Sequence, residues 1–272
     1  MNLNTITEVK RPKSAAEIEH WRDGYAWLAG GTWLFSEPQV HTDTLIDLAA
    51  LRWPALEVSA SGLDLAATCT VADLYAFAPP AEWHAGALIG ECCRSFLSSF
   101  KIWNEATVGG NICMSLPAGP MISLTTALEG VYELWPRDGE PRRIPAVDFV
   151  TGNHSNVLAP GELLRAIHLP IEALVKTFAF RRSTLTHLGR SAVLMIGTRD
   201  PKTAALVLTI TAATLRPVQL RFEAPPTAQA MRGAIDAAVP DDLYLDDAHG
   251  SPAYRRHLTY YYAEQIRQEL GA

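Results

Sequence analysis

Two short segments carry the residue types best suited to chemistry. Leu28-Ala29-Gly30-Gly31-Thr32-Trp33 continues an apolar run that begins at Tyr25, and Thr107-Val108-Gly109-Gly110-Asn111 follows Ala106 beside a second apolar stretch. A double glycine permits a left-handed backbone and lets a ligand approach without meeting a Cβ. Successive free N–H groups then form a concave nest that suits phosphate. Thr32, Thr107 and Asn111 place side-chain donors beside the glycines. Either pair alone is what a tight turn needs. Together they are suited to clamp a diphosphate from two sides, which makes a dinucleotide such as FAD or NAD the natural ligand. The spacing is neither Gly-x-Gly-x-x-Gly nor that of a P-loop. No Gly-x-Ser-x-Gly or His-Glu-x-x-His occurs in the chain.

The remaining chemistry-bearing residues are dispersed. The eight histidines show no helical ligand spacing, and the four cysteines, Cys69, Cys92, Cys93 and Cys113, contain no Cys-x-x-Cys pair. Small buried hydrophobes in a reducing compartment are the expected reading, with no metal site. The 272 residues suit one large domain or two to three small ones, and 48% hydrophobic residues supply a core. Lys+Arg number 23 against 29 Asp+Glu, net −6. That excludes non-specific nucleic-acid binding, which needs clustered basic charge. The first residues lack the apolar stretch of a secretory signal, and no run approaches the roughly 18 apolar residues of a membrane span. A cytoplasmic protein, with no nucleic-acid or membrane partner, is expected.

Short strands and helices must position the two segments. Strands are expected at 5–9, 25–28, 44–48, 56–58, 63–65, 131–135, 143–144 and 163–169. Helices are expected from Ser14 to about Arg22, from Thr70 as N-cap with Asp73 at N3, over 85–100 and over 123–129. Pro117 to Pro120 reads as a loop. From 171 onward the character changes. Strands at 178–181 and 203–213 precede helices at 228–238 and 254–270, the pattern of an antiparallel sheet with helices on one layer.

Five collinear motifs make the pattern specific. They are Ala29-Gly-Gly-Thr32, Leu45-Ile-Asp-Leu48, Gly62-Leu-Asp-Leu-Ala-Ala-Thr-Cys-Thr-Val-Ala-Asp-Leu74, Ile102-Trp-Asn-Glu-Ala-Thr-Val-Gly-Gly-Asn-Ile112 and Asp247-Ala-His-Gly-Ser-Pro-Ala-Tyr-Arg-Arg256. In this order they resemble the FAD-binding medium subunits of molybdenum hydroxylases, the family of xanthine dehydrogenase, aldehyde oxidoreductase and carbon monoxide dehydrogenase. The resemblance covers nearly the whole chain. It implies an α+β fold: a two-subdomain α/β FAD-binding (PCMH/VAO-like) region over 1–170, with subdomains of about 1–55 and 56–170, then a C-terminal α+β domain over 171–272. It implies FAD as cofactor, held by Leu28 to Trp33 and by Thr107, Val108, Gly109, Gly110 and Asn111, with Leu97 and Leu164 packing on its rings. It implies two partners, a small [2Fe–2S] subunit and a large molybdenum-cofactor subunit, with electrons passing from the clusters through FAD to an acceptor. No residue of this chain is expected to be catalytic toward the oxidised substrate.

Four positions depart from the family pattern. Trp33 replaces a small or acidic residue, Pro120 an Asp that supports FAD, Trp103 the Arg of Ile-Arg-Asn, and Ala179 a Lys, with Arg181 and Arg182 nearby. A proline offers neither a carboxylate nor an N–H. Two other functions therefore stand beside the first: a flavin-free scaffold subunit of such a complex, and a free-standing flavin oxidase.

Overall fold

The computed structural model describes residues 3–14, 17 and 21–271. The chain opens with a three-stranded parallel sheet of β1 (Glu8–Lys10), β2 (Tyr25–Leu28) and β3 (Thr44–Asp47), in the order β1-β3-β2. The helix expected between Ser14 and Arg22 lies largely outside the described residues. Strands β4 (Leu56–Ser59) and β5 (Gly62–Ala66) begin a second sheet. Five helices follow: α1 (Val71–Ala76), α2 (Ala87–Ser95), α3 (Phe100–Trp103), α4 (Val108–Cys113) and α5 (Pro120–Ala127). The chain then returns through β6 (Val131–Trp135), β7 (Arg142–Pro145), the small hairpin β8 (Val150–Gly152) with β9 (Ser155–Asn156), and β10 (Leu163–Pro170). Strand β10 closes the second sheet between β5 and β6, giving β4-β5-β10-β6-β7, antiparallel throughout.

After α6 (Ile171–Leu174), a four-stranded antiparallel meander runs through β11 (Thr177–Thr184), β12 (Ser191–Arg199), β13 (Leu206–Thr211) and β14 (Val218–Phe222). It carries α7 (Ala228–Ala238) and α8 (Pro252–Gly271). One face of this sheet packs on α8, and the core formed there includes Met195, Leu208, Met231 and Ile266. The other face meets α5, all eight residues of which are buried. The second sheet's core therefore runs on into Leu194, Ile196 and Ala212.

Local chemistry explains the boundaries. Thr70 caps α1 as expected, accepting from the Asp73 N–H at 3.0 Å. The single helix expected over 85–100 is broken in two. The Phe96 backbone leaves helical geometry, and its carbonyl accepts the Trp103 indole N–H at 3.0 Å. Residues 108–113 are helical despite two glycines, because Thr107 caps them. Pro120 belongs to a helix rather than to a loop. It occupies the first position of α5, where its fixed φ suits a helix and no N–H is needed.

Candidate functional site

The two glycine segments meet backbone to backbone. A methyl group added to Gly30 would lie 1.6 Å from the Glu105 carbonyl oxygen, so only glycine allows this approach. Gly31 takes φ +67°, the left-handed conformation glycine adopts most readily. Its carbonyl accepts from Phe35 N–H at 2.8 Å, which turns the chain back. The N–H groups of Gly30, Gly31, Thr32 and Trp33 have no hydrogen-bond partner among the described residues, and all four residues line one cleft. Gln39 braces this turn through Nε2, which donates to Leu34 O at 2.8 Å and Glu37 O at 3.0 Å.

The second segment works differently. Val108 and Gly109 donate to Cys69 O at 2.8 Å and Ala67 O at 2.9 Å. Gly110 donates to Thr107 Oγ1 and Asn111 to Thr107 O, each at 3.0 Å. These N–H groups are consumed by the fold, so the expected second nest is a capped helix turn. Gly109 is glycine for packing: a Cβ there would meet Ala67 Cβ at 2.5 Å. What this segment offers the cleft is side-chain chemistry. Asn111 Oδ1 accepts from Met121 N–H at 3.1 Å, and its Nδ2 donor has no partner among the described residues. Gly119 and Pro120, at the start of α5, line the same cleft. A helix start carries partial positive charge.

The cleft has a volume of about 800 Å³, at the large end of small-molecule sites. Of the residues expected from sequence, Leu28, Ala29, Gly30, Gly31, Thr32, Trp33, Leu97, Thr107, Gly110 and Asn111 line it. Val108 and Gly109 sit behind it in the helix, and Leu164 is 1% exposed in the second sheet's core. The break after α2 turns Phe96 and Leu97 toward the cleft, where Ile102 and Leu116 extend the apolar wall. A further wall comes from far along the chain: Leu188, Arg190 and Ser191 around the β11–β12 turn, and His249 before α8. His249 lies inside a motif visible in the sequence. Arg190 had no such signal.

Charge sharpens the picture. Among the described residues no carboxylate lines the cleft, although the chain is net −6. Arg190 brings a guanidinium to the cleft and His249 an imidazole. Arg181 and Arg182 supply nothing here. Arg181 binds Gln265 at 2.7 Å and Glu269 at 2.5 Å, and Arg182 binds Ser191 Oγ and Gly189 O, each at 2.8 Å. Ala179 is buried in the third sheet's core. Trp33, 39% exposed, rests its ring against His154 with centroids 5.9 Å apart. The Cys113 thiol also borders the cleft, and burial pushes it up to about 12, so it stays protonated at neutral pH.

Comparison with known proteins places this geometry. Over 122 residues the chain is 26% identical to xanthine dehydrogenase 2 of Arabidopsis thaliana, a match covering 43% of this chain and 9% of that enzyme. It is 33% identical over 76 residues to the carbon monoxide dehydrogenase medium chain of Afipia carboxidovorans, 28% of this chain and 26% of that one. A solved carbon monoxide dehydrogenase chain from Hydrogenophaga pseudoflava superposes with a TM-score of 0.81 at 18% identity, covering 98% of this chain and 99% of that one. A quinoline 2-oxidoreductase chain from Pseudomonas putida 86 gives 0.77 at 18% identity, with 100% of both chains covered. These two likenesses show the shared fold. Residues 4–172 match the family described as the FAD binding domain in molybdopterin dehydrogenase. With more than half its length in that match, the chain belongs to the family of FAD-binding domains of molybdopterin dehydrogenases.

Proposed function

We propose that this chain holds FAD in the carboxylate-free cleft and passes electrons between a partner's [2Fe–2S] clusters and an acceptor. The observation that carries the reading is the run of unpartnered N–H groups from Gly30 to Trp33, in a cleft with no acidic side chain among the described residues. A diphosphate answers both features, since its oxygens accept those bonds and its charge meets no like charge. Thr32 Oγ1 and Asn111 Nδ2 would add donors, and Thr107 orients α4 so that Asn111 faces the cleft. Leu28, Ala29, Phe96, Leu97 and Ile102 would enclose the ring systems. Val108, Gly109 and Leu164 would act from behind by packing. When bound, FAD supplies the redox chemistry, and the protein sets orientation and solvent access.

The division of labour follows the sheets. Residues 1–170 carry the cofactor-holding segments, and 171–272 carry the Arg190 and His249 wall. The partners in this reading are a small [2Fe–2S] subunit and a large molybdenum-cofactor subunit, and substrate oxidation takes place on the latter. Two measurements test it. The freshly purified chain, or the apoprotein mixed with excess FAD, should show the absorbance of bound oxidised flavin. A pull-down from the source cell should recover both partners. A folded chain that binds no FAD but still recovers the partners would establish the scaffold reading. Full turnover of an organic substrate by the isolated chain would establish a free-standing oxidase.

A further inference from the structure

The Asp247-to-Arg256 motif gives the cleft only His249, yet it also contains a fully buried guanidinium. Arg255, on α8, is 0% exposed. A buried guanidinium persists only when its planar set of donors is matched by acceptors. Here the acceptors come from three separate segments. Nε donates to Gly250 O at 3.0 Å, and one terminal nitrogen to Asp247 Oδ1 at 2.5 Å. The other terminal nitrogen donates to Ala212 O at 2.6 Å and to Ala192 O. Asp247 Oδ1 also accepts the backbone N–H of His249 at 2.7 Å. One side chain thus ties the turn that carries His249 to the start of β12, just after Arg190 and Ser191. Arg182 holds the other side of that hairpin through Gly189 O and Ser191 Oγ.

We propose that Arg255 is a positioning residue for the cleft: its buried fork fastens the 247–250 turn to the start of β12, so that His249 and Arg190 form one preset rim of nitrogen donors. The role of that rim toward FAD rests on the function proposed above. The fastening itself does not. Its logic is preorganisation, since a donor held in place before the ligand arrives loses no freedom on binding. Lysine keeps the charge but cannot span four acceptors in one plane.

The test uses the full chain with Arg255→Lys. Circular dichroism first establishes that the variant folds. Hydrogen exchange of the FAD-free protein should then rise together in residues 189–192 and 247–251, with the second sheet unchanged. The FAD dissociation constant, read by flavin fluorescence, should rise about tenfold. The double variant Arg190→Ala/His249→Ala should lose a similar factor, and adding Arg255→Lys to it should cost less than about twofold more, because a residue acting through others is not additive with them. Unchanged exchange in either segment, an unchanged dissociation constant, or losses that multiply in full would each overturn the proposal. If Arg255→Lys does not fold, Asp247→Asn, which removes the charged acceptor while leaving Arg255 in place, is read by the same measurements. If the wild-type protein binds no FAD, the functional reading fails, and the exchange data alone decide the fastening.

Discussion

Asn111 separates holding the fold from holding the ligand, because its two amide atoms have different duties. Oδ1 accepts the N–H of Met121, a residue 0% exposed, and Nδ2 is left for the cleft. Asn111→Ala removes both atoms. It strands a buried donor at a cost of about 1–3 kcal/mol. In a chain of this size that lowers the melting temperature by several degrees, at about 2–4 °C per kcal/mol. Asn111→Asp keeps the acceptor, and a carboxylate near the start of α5 is favourable, so its melting temperature should match or exceed wild type. Its effect on FAD is the reverse. Two like charges about 4 Å apart interact by about 4 kcal/mol at an effective dielectric of 20. Even with half of that lost to solvent at an open cleft, the dissociation constant should rise at least about thirtyfold. Asn111→Ala should weaken binding by only about tenfold. Thermal melts and flavin-fluorescence titrations on both variants therefore give a crossed pattern: Asp stable and weak, Ala unstable and less weak. An Asn111→Asp protein that binds FAD as wild type does would refute the placement of the diphosphate.

Gly30→Ala should separate the two segments, since its methyl meets the Glu105 carbonyl; a folded variant with wild-type FAD affinity would show that their contact is dispensable. Gly109→Ala, which collides with Ala67 behind the cleft, should cost about 1–3 kcal/mol of stability with FAD affinity per folded molecule unchanged, measured by denaturant melts beside titrations. Burial pushes the Cys69, Cys93 and Cys113 thiols up to about 12 and Cys92 well above its ordinary value. A thiol reagent at pH 8 should therefore label the buried Cys69, Cys92 and Cys93 only as fast as the protein unfolds, and rapid labelling of these three in native protein would contradict their burial. Burial raises the Glu129 carboxyl, but Lys176 and Arg221 beside it prevail and hold it below its ordinary value. Its stabilisation is thus complete above the unfolded carboxylate range and lost as pH falls through the folded value. Glu129→Gln should flatten the acid limb of stability against pH below about 4.5, and an unaltered limb would exclude this ion cluster as its source.

The Gly30-Gly31 turn is legible because double glycine is rare punctuation with a physical cause, and the structure supplies that cause in the close approach to Glu105 and the left-handed backbone. The second segment reads the same way in sequence but is spent on helix capping and on packing against Ala67, which no local pattern reveals. Strand β12 shows another limit. Eight of its nine residues are buried, because α5 covers one face and α8 the other, so the alternation that marks a half-exposed strand is absent. Strand β14 carries no such signal either, and its boundaries follow from pairing with β13. Arg190 reaches the cleft from an exposed hairpin more than 150 residues after Gly30. Only the folded chain brings them together.

The family match ends at residue 172, but the packing does not. Helix α5 lies before that point and is buried on all sides. Ser123 Oγ pairs with Thr211 Oγ1 at 2.7 Å, Gln219 donates to Thr126 O at 2.6 Å, and Ala212 donates to Pro117 O at 2.9 Å. The end of the family match thus falls within a shared interior. Cutting there would strip the meander from α5 and leave an oily, hydrogen-bond-hungry helix facing water. The chain should consequently melt as one cooperative unit. Grafting the 4–172 segment onto another protein would transplant the Gly30-Gly31 turn without the scaffolding that keeps α5, and with it Asn111, in place.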